Sequence, residues 1–417
     1  MPNPIHHTFG PHVDRSFLGK TVALSYVPWR YVRGTSCYRL KEALRERFRG
    51  EPALFASGRQ ALLALLRALD VRPGHEVIVQ GYTCVVVPNA IHAAGAVPVY
   101  ADIDRETLNL TVESVEACIT PRTKAVICQH TFGIPAPVRA LRELCDKQGI
   151  ALIEDMAHAI PDSRGPADIG VHGEYLLLSF GRDKAVSGVE GGAVLSRNPA
   201  VSRKLNEMER TALHRKWWEV ARLLEYPTRM HGIVRPLSGT ALFRPAVWIM
   251  QRLGLIAPVL TMAEKRGSMS PLLWKLPNVC ASLALSELKR LTAINDRRRT
   301  LTDFYLRFGR DHRWPMLKGV TSDLPLQKFP LFVHDAEKKR RWLKRENIHL
   351  NDGWTGCVVC PVTCNLNNAG YQWGSDPEAE ATSEQILSLP THPTMTMAQA
   401  LRLAKRVDEL LKEEKGI

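Results

Sequence analysis

Residues 125–156 read AVICQHTFGIPAPVRALRELCDKQGIALIEDM. Two short apolar runs, AVICQH (125–130) and IALIEDM (150–156), flank a polar stretch of helical character. The runs are strand-length, so the unit reads strand, helix, strand. Outward in both directions the rhythm repeats. ALFAS (53–57) precedes a helical GRQALLALLRALDV (58–71), EVIVQ (76–80) precedes VVVPNAIHAAG (85–95), and VPVYADI (97–103) follows. EYLLLSF (174–180) and GGAVLSR (191–197) continue the series. Apolar strands alternating with helices predict βαβ units and a mostly parallel sheet covered by helices on both faces.

The whole chain has 417 residues, enough for two domains, with 45% apolar and 24% charged residues, as in ordinary globular proteins. From Asn278 a helical pattern resumes in LALSELKRLTAINDRRRTLTDFYLRF (283–308). Then come a strand (KFPLFVH, 328–334), a helix with a further strand (335–348), a loop-rich stretch and a last helix (397–414). This predicts a smaller C-terminal α+β domain. The expected division is an N-terminal segment at 1–37, the large α/β domain at 38–208, an insertion at 209–276, and a connecting helix with the small domain at 277–417.

The insertion breaks the rhythm. It holds eleven Lys and Arg against four Asp and Glu, so half of the net charge of +14 sits in a sixth of the chain. Four of the nine tryptophans, Trp217, Trp218, Trp248 and Trp274, are there too. Such an excess calls for an anionic substrate, anionic lipid or nucleic acid. No nucleic-acid module is recognisable, and the arginines are interleaved with aliphatics. FRPAVWIMQRLGLIAPVL (243–260) suits a helix lying in a membrane interface. It equally suits a segment packed at a dimer interface or a lid over a site. No apolar run approaches a membrane span; the longest candidate, Leu253 to Ala263, contains a proline. MPNPIHHTFGPHVDR (1–15) has no apolar stretch, so no signal peptide is expected. Nine cysteines, an odd number in a long chain, read as reduced thiols of a cytoplasmic protein. Cys357, Cys360 and Cys364 invite a zinc reading but supply three ligands, with a fourth needed from His349, His392 or elsewhere. The expectation is no metal.

Three local signals carry chemistry. At Ala56-Ser57-Gly58-Arg59-Gln60-Ala61 a strand turns into a helix, and free N–H groups at a helix start suit a phosphate; a plain N-cap looks the same. Glu154-Asp155-Met156-Ala157-His158 follows a strand, where carboxylates face the crevice of an α/β sheet or simply cap the next helix. Ser179-Phe180-Gly181-Arg182-Asp183-Lys184, followed by Glu190-Gly191-Gly192, places on an inter-strand loop a lysine that could form a Schiff base or stay solvated.

In this order the three resemble the DegT/StrS-type sugar aminotransferases, a branch of the aspartate-aminotransferase-like pyridoxal-phosphate (PLP) enzymes of fold type I. That family shows an SG-x-x-AL turn, an ED-x-A-[QH] strand end and an SF-x-x-x-K loop closed by [ED]GG. GAVPVYADIDRETLNL (95–110), His130-Thr131-Phe132-Gly133, LALSELKRL (283–291) and ILSLPTHP (386–393) also match. The resemblance covers residues 38–208 and 276–412. It implies that Lys184 holds PLP and then shuttles the proton, while Asp155 keeps the pyridine nitrogen protonated. Ser57, Ser179 and the backbone of Gly58 and Arg59 would hold the phosphate, and His158 would lie beside the ring near its 3-hydroxyl. Three departures stand out. The family's ring-stacking aromatic, from P-x-x-T-[FWY], falls on Cys84 in Gln80-Gly81-Tyr82-Thr83-Cys84, with Tyr82 the alternative ring. The N-x-R pattern that reaches a neighbouring subunit reads Leu273-Trp274-Lys275, keeping only a positive charge near the phosphate. The insertion is longer than the family's usual connection.

The resemblance therefore implies a homodimer with shared sites that moves an amino group from an amino acid, glutamate foremost, to a keto-sugar on a nucleotide or lipid carrier. The pathway would be that of amino sugars, polysaccharide or secondary metabolites. Other PLP chemistry, such as an aldolase or lyase, is the enzymatic alternative, and a non-catalytic PLP-binding regulator or membrane-associated partner the other. Lys184 argues against the family's dehydratase branch, where histidine is implied. An anionic membrane surface, met through 229–266 at the inner face, is the further partner expected.

Overall fold

The seven apolar runs become one sheet. A computed structural model of the chain describes residues 3–414 except Phe9, Gly239, Ala257 and Asp352. The strands are β1 (Glu51–Phe55), β2 (Glu76–Gln80), β3 (Val97–Ala101), β4 (Thr123–Gln129), β5 (Ala151–Asp155), β6 (Tyr175–Ser179) and β7 (Gly192–Ser196). They lie side by side in the order β1-β7-β6-β5-β4-β2-β3. The neighbours from β6 to β3 are parallel. β7 alone runs against the rest, antiparallel to both β6 and β1. The expected α/β class with a mostly parallel sheet is what forms. The reversal at β7 has a simple cause: no crossover helix separates β6 from β7, so the chain returns beside β6 in the opposite direction.

Helix α1 (Gly58–Ala68) follows β1 and is buried over nearly its whole length, with Leu62, Leu63, Leu65 and Leu66 in the sheet's core. The C-terminal part is built around the antiparallel pair Lys328–Phe332 and Ile386–Pro390, helix α2 (Leu291–Asp311) and helix α3 (Met397–Glu414), in a core it shares with Ile5, Tyr82, Phe132 and Ile134.

Two segments that sequence left without detail are tied in. In the N-terminal segment, Ile5–His6 pairs with Ile348–His349 of the C-terminal part, and a helix over Arg15–Ser25 follows. The insertion forms helices at Trp217–Arg229 and Phe243–Arg252. Val220, Leu223, Leu224, Met230 and Val234 pack into the core that holds Phe17 and Phe180. The insertion's apolar side is thus split. Met250 and Ile256 are buried and Leu255 is partly buried, whereas Trp248, Ile249 and Leu253 face outward. The apolar residues of 243–260, the stretch that suits a membrane-interface helix, therefore do not form one continuous exposed patch, because the buried members fill gaps in the protein's own core.

Candidate active site

Parallel strands leave their carboxyl ends along one edge, and the side chains there converge. Asp155 ends β5 in register with Gln129 of β4 and Leu177 of β6. β1 ends just before Ser57, which bridges Gly191 ahead of β7. Strand alternation settles which carboxylate of the Glu154–Asp155 pair faces the edge. Glu154 points into the interior, where it accepts from His130 Nε2 at 2.9 Å and from the Gly173 and Gly170 N–H groups. Asp155 lines a small cavity together with Gln129, His158, Ser179 and Lys184. A larger cavity of about 370 Å³ adjoins it and shares Gly58, Cys84, Ser179, Lys184 and Trp354.

At one end of this space Ser57 caps α1, accepting from Gln60 N at 3.4 Å. The absence of a side chain at Gly58 matters here: a Cβ would lie 2.9 Å from Ser179 Cβ and 3.1 Å from its Oγ. Ser179 can therefore close on the helix N-terminus, making a nook of N–H groups and hydroxyls suited to an anion. At the other end sits Asp155. Burial pushes its carboxyl above the usual range, against the Ala157 N–H at 2.9 Å and the charge of Lys184. A cation placed against Asp155 would relieve that burial.

Between the two ends is Lys184, whose Nζ lies 3.3 Å from His158 Nε2. Burial first, then Lys184 and Lys328, drive the His158 pKa well below its ordinary value, so the ring is neutral. Its Nδ1 accepts from the Phe132 N–H at 3.3 Å, which leaves the ring proton on Nε2, facing the cavity. An anion nook, a carboxylate in want of a cation, a lysine and an imidazole N–H thus fit PLP in one orientation.

The remaining expected residues divide. Cys84 lines both cavities, and burial raises its thiol pKa, so it presents a small neutral wall. Tyr82 does not reach the space: it is fully buried, and its hydroxyl donates to Trp354 O at 2.8 Å. That corrects Tyr82 as the alternative ring, since its polar tip is satisfied elsewhere. Lys275 lies outside both cavities in this chain, its N–H donating to Leu213 O at 2.8 Å. The Arg59 guanidinium turns to the insertion, pairing with Glu264 and donating to Val259 O at 3.1 Å. Cys357 and Cys360 are neighbouring thiols 3.5 Å apart, and no metal-binding group of three or more His, Cys, Asp or Glu occurs among the described residues.

Sequence reasoning missed Trp354. Its ring stands edge-on to His158 at 5.2 Å and to Phe132 at 5.3 Å, and it lines both cavities. An aromatic wall is supplied from the C-terminal part of the chain where Cys84 offers none. The insertion, for which a lid over a site was one expectation, lines the larger cavity through Gln251, Val259, Leu260 and Lys265.

A model of the DegT/DnrJ/EryC1/StrS aminotransferase family matches residues 29–408. Among solved structures the chain is similar to DesV of S. venezuelae in complex with a ketimine intermediate, at 24% identity over 95% of each chain, with a TM-score of 0.70. It is similar to NtdA of Bacillus subtilis with bound PMP, at 18% identity, 99% of this chain, 86% of that one and a TM-score of 0.75. A third is DesI in the presence of its TDP-sugar product, at 20% identity, 98% and 93% coverage and a TM-score of 0.71.

Proposed function

Since the chain belongs to the DegT/DnrJ/EryC1/StrS aminotransferase family and is a PLP-dependent transaminase, we propose that it moves an amino group from an amino acid, glutamate foremost, to a keto-sugar carried on a nucleotide or a lipid. The observation that carries this reading is the convergence of Lys184, Asp155, His158 and the Ser57–Gly58–Ser179 nook on one space. When bound, PLP supplies a ring that takes up the negative charge left at the substrate carbon. Around it Lys184 holds the cofactor and carries the proton, and Asp155 anchors the ring nitrogen. His158 donates from Nε2 to the ring oxygen, and Ser57, Ser179 and the N–H groups of Gly58 and Arg59 bind the phosphate. Trp354 and Cys84 wall the space, and the adjoining cavity of about 370 Å³ takes the sugar. The active form in this reading is a homodimer in which Lys275 serves the partner's phosphate site.

The test uses the aminated form of the cofactor on the protein, mixed with nucleotide- and lipid-linked keto-sugars while its absorbance is followed. Return of the aldehyde form with one of them is the expected result. Turnover with amino acids and simple keto acids, but with no keto-sugar of either class, would overturn the acceptor.

A second reading, contact with an anionic membrane, is favoured by the outer face of the insertion. Trp248 and Leu253 are 60% and 63% exposed, Leu242, Ile249, Val259 and Met262 are exposed too, and the Arg252 guanidinium sits over the Trp248 ring. Val259 and the neighbouring Lys265 also line the cavity, so a lipid-linked substrate would meet its site at the surface. No helix among the described residues is long and apolar enough to cross a membrane. Each basic residue near anionic lipid contributes about 1 kcal/mol, which salt screens. Deleting 229–266 would open the core at Met230, Val234 and Met250, so the outward residues are the ones to change. The combined variant W248S/I249S/L253S is expected to keep its thermal stability and lose salt-sensitive binding to phosphatidylserine liposomes. Undiminished binding, or dissociation of a dimer in place of the lipid effect, would sink this reading.

A further inference from the structure

The N-terminal segment reaches the back of the lysine loop, where the His12 ring meets the backbone of Lys184. His12 follows the turn at Gly10, whose φ is +65°, and Asp14 then caps the helix Arg15–Ser25 by accepting from the Phe17 N–H at 2.8 Å. The His12 and Glu287 side chains are only 2% and 3% exposed. Its Nδ1 lies 2.9 Å from Glu287 Oε2 and its Nε2 lies 2.7 Å from the backbone oxygen of Lys184. A backbone carbonyl can only accept, and so can an ionised carboxylate. A neutral imidazole has a single N–H and would leave one nitrogen lone pair against an oxygen. The alternative is a protonated Glu287 donating to a neutral ring. Arg290 opposes it: its guanidinium reaches Glu287 Oε1 at 3.2 Å while also pairing with Asp14, which favours the carboxylate.

We propose that His12 is a buried imidazolium, held by Glu287, that clamps the carbonyl of Lys184, so that His12 and Glu287 are positioning residues for the reactive lysine. The other charged and titratable groups around it are of both signs, and Glu287 is the carboxylate in direct contact with the ring. On the loop itself are Asp183 and Lys184. From α2, Arg298 donates to Ala185 O at 2.9 Å and reaches Lys184 O at 3.4 Å. Lys328, His7 and His392 line a small cavity with His12, and burial takes the His392 pKa down to about 3, so that ring is neutral. Two cationic donors, His12 and Arg298, therefore meet the carbonyl of Lys184. They fix the backbone from which the side chain must reach forward to His158 and the cavity. The link joins the first residues of the chain to its chemistry, and it rests on Lys184 being the lysine that holds PLP.

The test has two independent parts on the full-length protein. With ¹⁵N-histidine labelling, the His12 ring signals are assigned by their loss in His12→Gln. Both nitrogens are expected to show the protonated signature, as the two oxygen partners require. In Glu287→Gln, one nitrogen is expected to shift to the unprotonated position. A neutral-ring pattern in the parent protein would overturn the imidazolium. In the second part, apo protein is mixed with PLP, quenched with borohydride over time, and the labelled lysine mapped. His12→Gln is expected to slow capture on Lys184 by roughly tenfold, the effect of losing one charge-assisted hydrogen bond. Glu287→Gln, which keeps the His12 N–H toward the carbonyl, should slow it less. Parent-like capture by both variants would overturn the positioning role. Labelling of another lysine in the parent protein would remove the premise about Lys184 and leave the ¹⁵N result standing, so the two failures are told apart.

Discussion

Lys184→Ala is expected to abolish turnover and to leave no lysine that borohydride can fix to PLP, while the protein folds and still binds the cofactor without a covalent link. The loss should be on the order of 10³-fold or more, because in the proposed reading one residue supplies both the attachment and the proton carrier, and a positioned acid–base group alone is worth about 10²–10⁴. Folding should survive, because Lys184 is only half-buried and its contacts with His12 and Arg298 run through its backbone oxygen. Cofactor retention should survive because the anion nook at Ser57, Gly58 and Ser179 and the carboxylate of Asp155 are untouched. Spectra with and without borohydride, followed by peptide mapping of the parent protein, decide the matter. A fixed label on a lysine other than 184 would show that the loop between β6 and β7 does not carry the reactive amine.

How much of this is legible in the sequence follows from where each interaction is encoded. Strands covered on both faces must be apolar along their length, so all seven strands of the large sheet show as short aliphatic runs. The direction of β7 is not written in its own residues; it follows from the missing crossover helix before it. Lys184, Asp155, Ser57 and His158 lie in three local motifs whose order along the chain is informative. Even there, the residues by themselves do not rank Glu154 against Asp155; the resemblance singles out Asp155, and the alternation of β5 supplies the physical reason by sending Glu154 to the interior and Asp155 to the cavity. Tyr82 was misplaced because its hydroxyl is claimed by Trp354, 272 positions away along the chain. Trp354 itself sits in a loop with no periodicity. His12 reaches its partners across separations of 172 and 275 residues, which no local pattern can report. The insertion shows its charge and its tryptophans plainly. Which of its apolar residues would turn inward depended on gaps in a core built from Phe17, Phe180 and Val279, elsewhere in the chain.

Asp155 should dominate the half-reaction with the amino donor. Asp155→Ala removes the one carboxylate that lines the small cavity among the described residues, and would leave a protonated ring nitrogen without its partner. A hydrogen bond to a charged group is worth about 1.5–3 kcal/mol, so the rate should fall at least tenfold. Asp155→Asn separates charge from shape, since an amide oxygen can still accept from the Ala157 N–H at 2.9 Å. If the negative charge is what counts, the Asn variant should fall nearly as far as Ala. The neighbouring carboxylate is the internal control. Glu154 is fully buried and accepts from His130, Gly170 and Gly173, so Glu154→Gln should lower thermal stability while a folded fraction keeps much of its half-reaction rate. Stopped-flow absorbance of the cofactor after mixing with glutamate measures each rate in a single turnover. An unchanged rate in Asp155→Ala would remove Asp155 from the role, and the opposite ranking, with Glu154→Gln slow and Asp155→Ala fast, would show that the other face of β5 carries the chemistry.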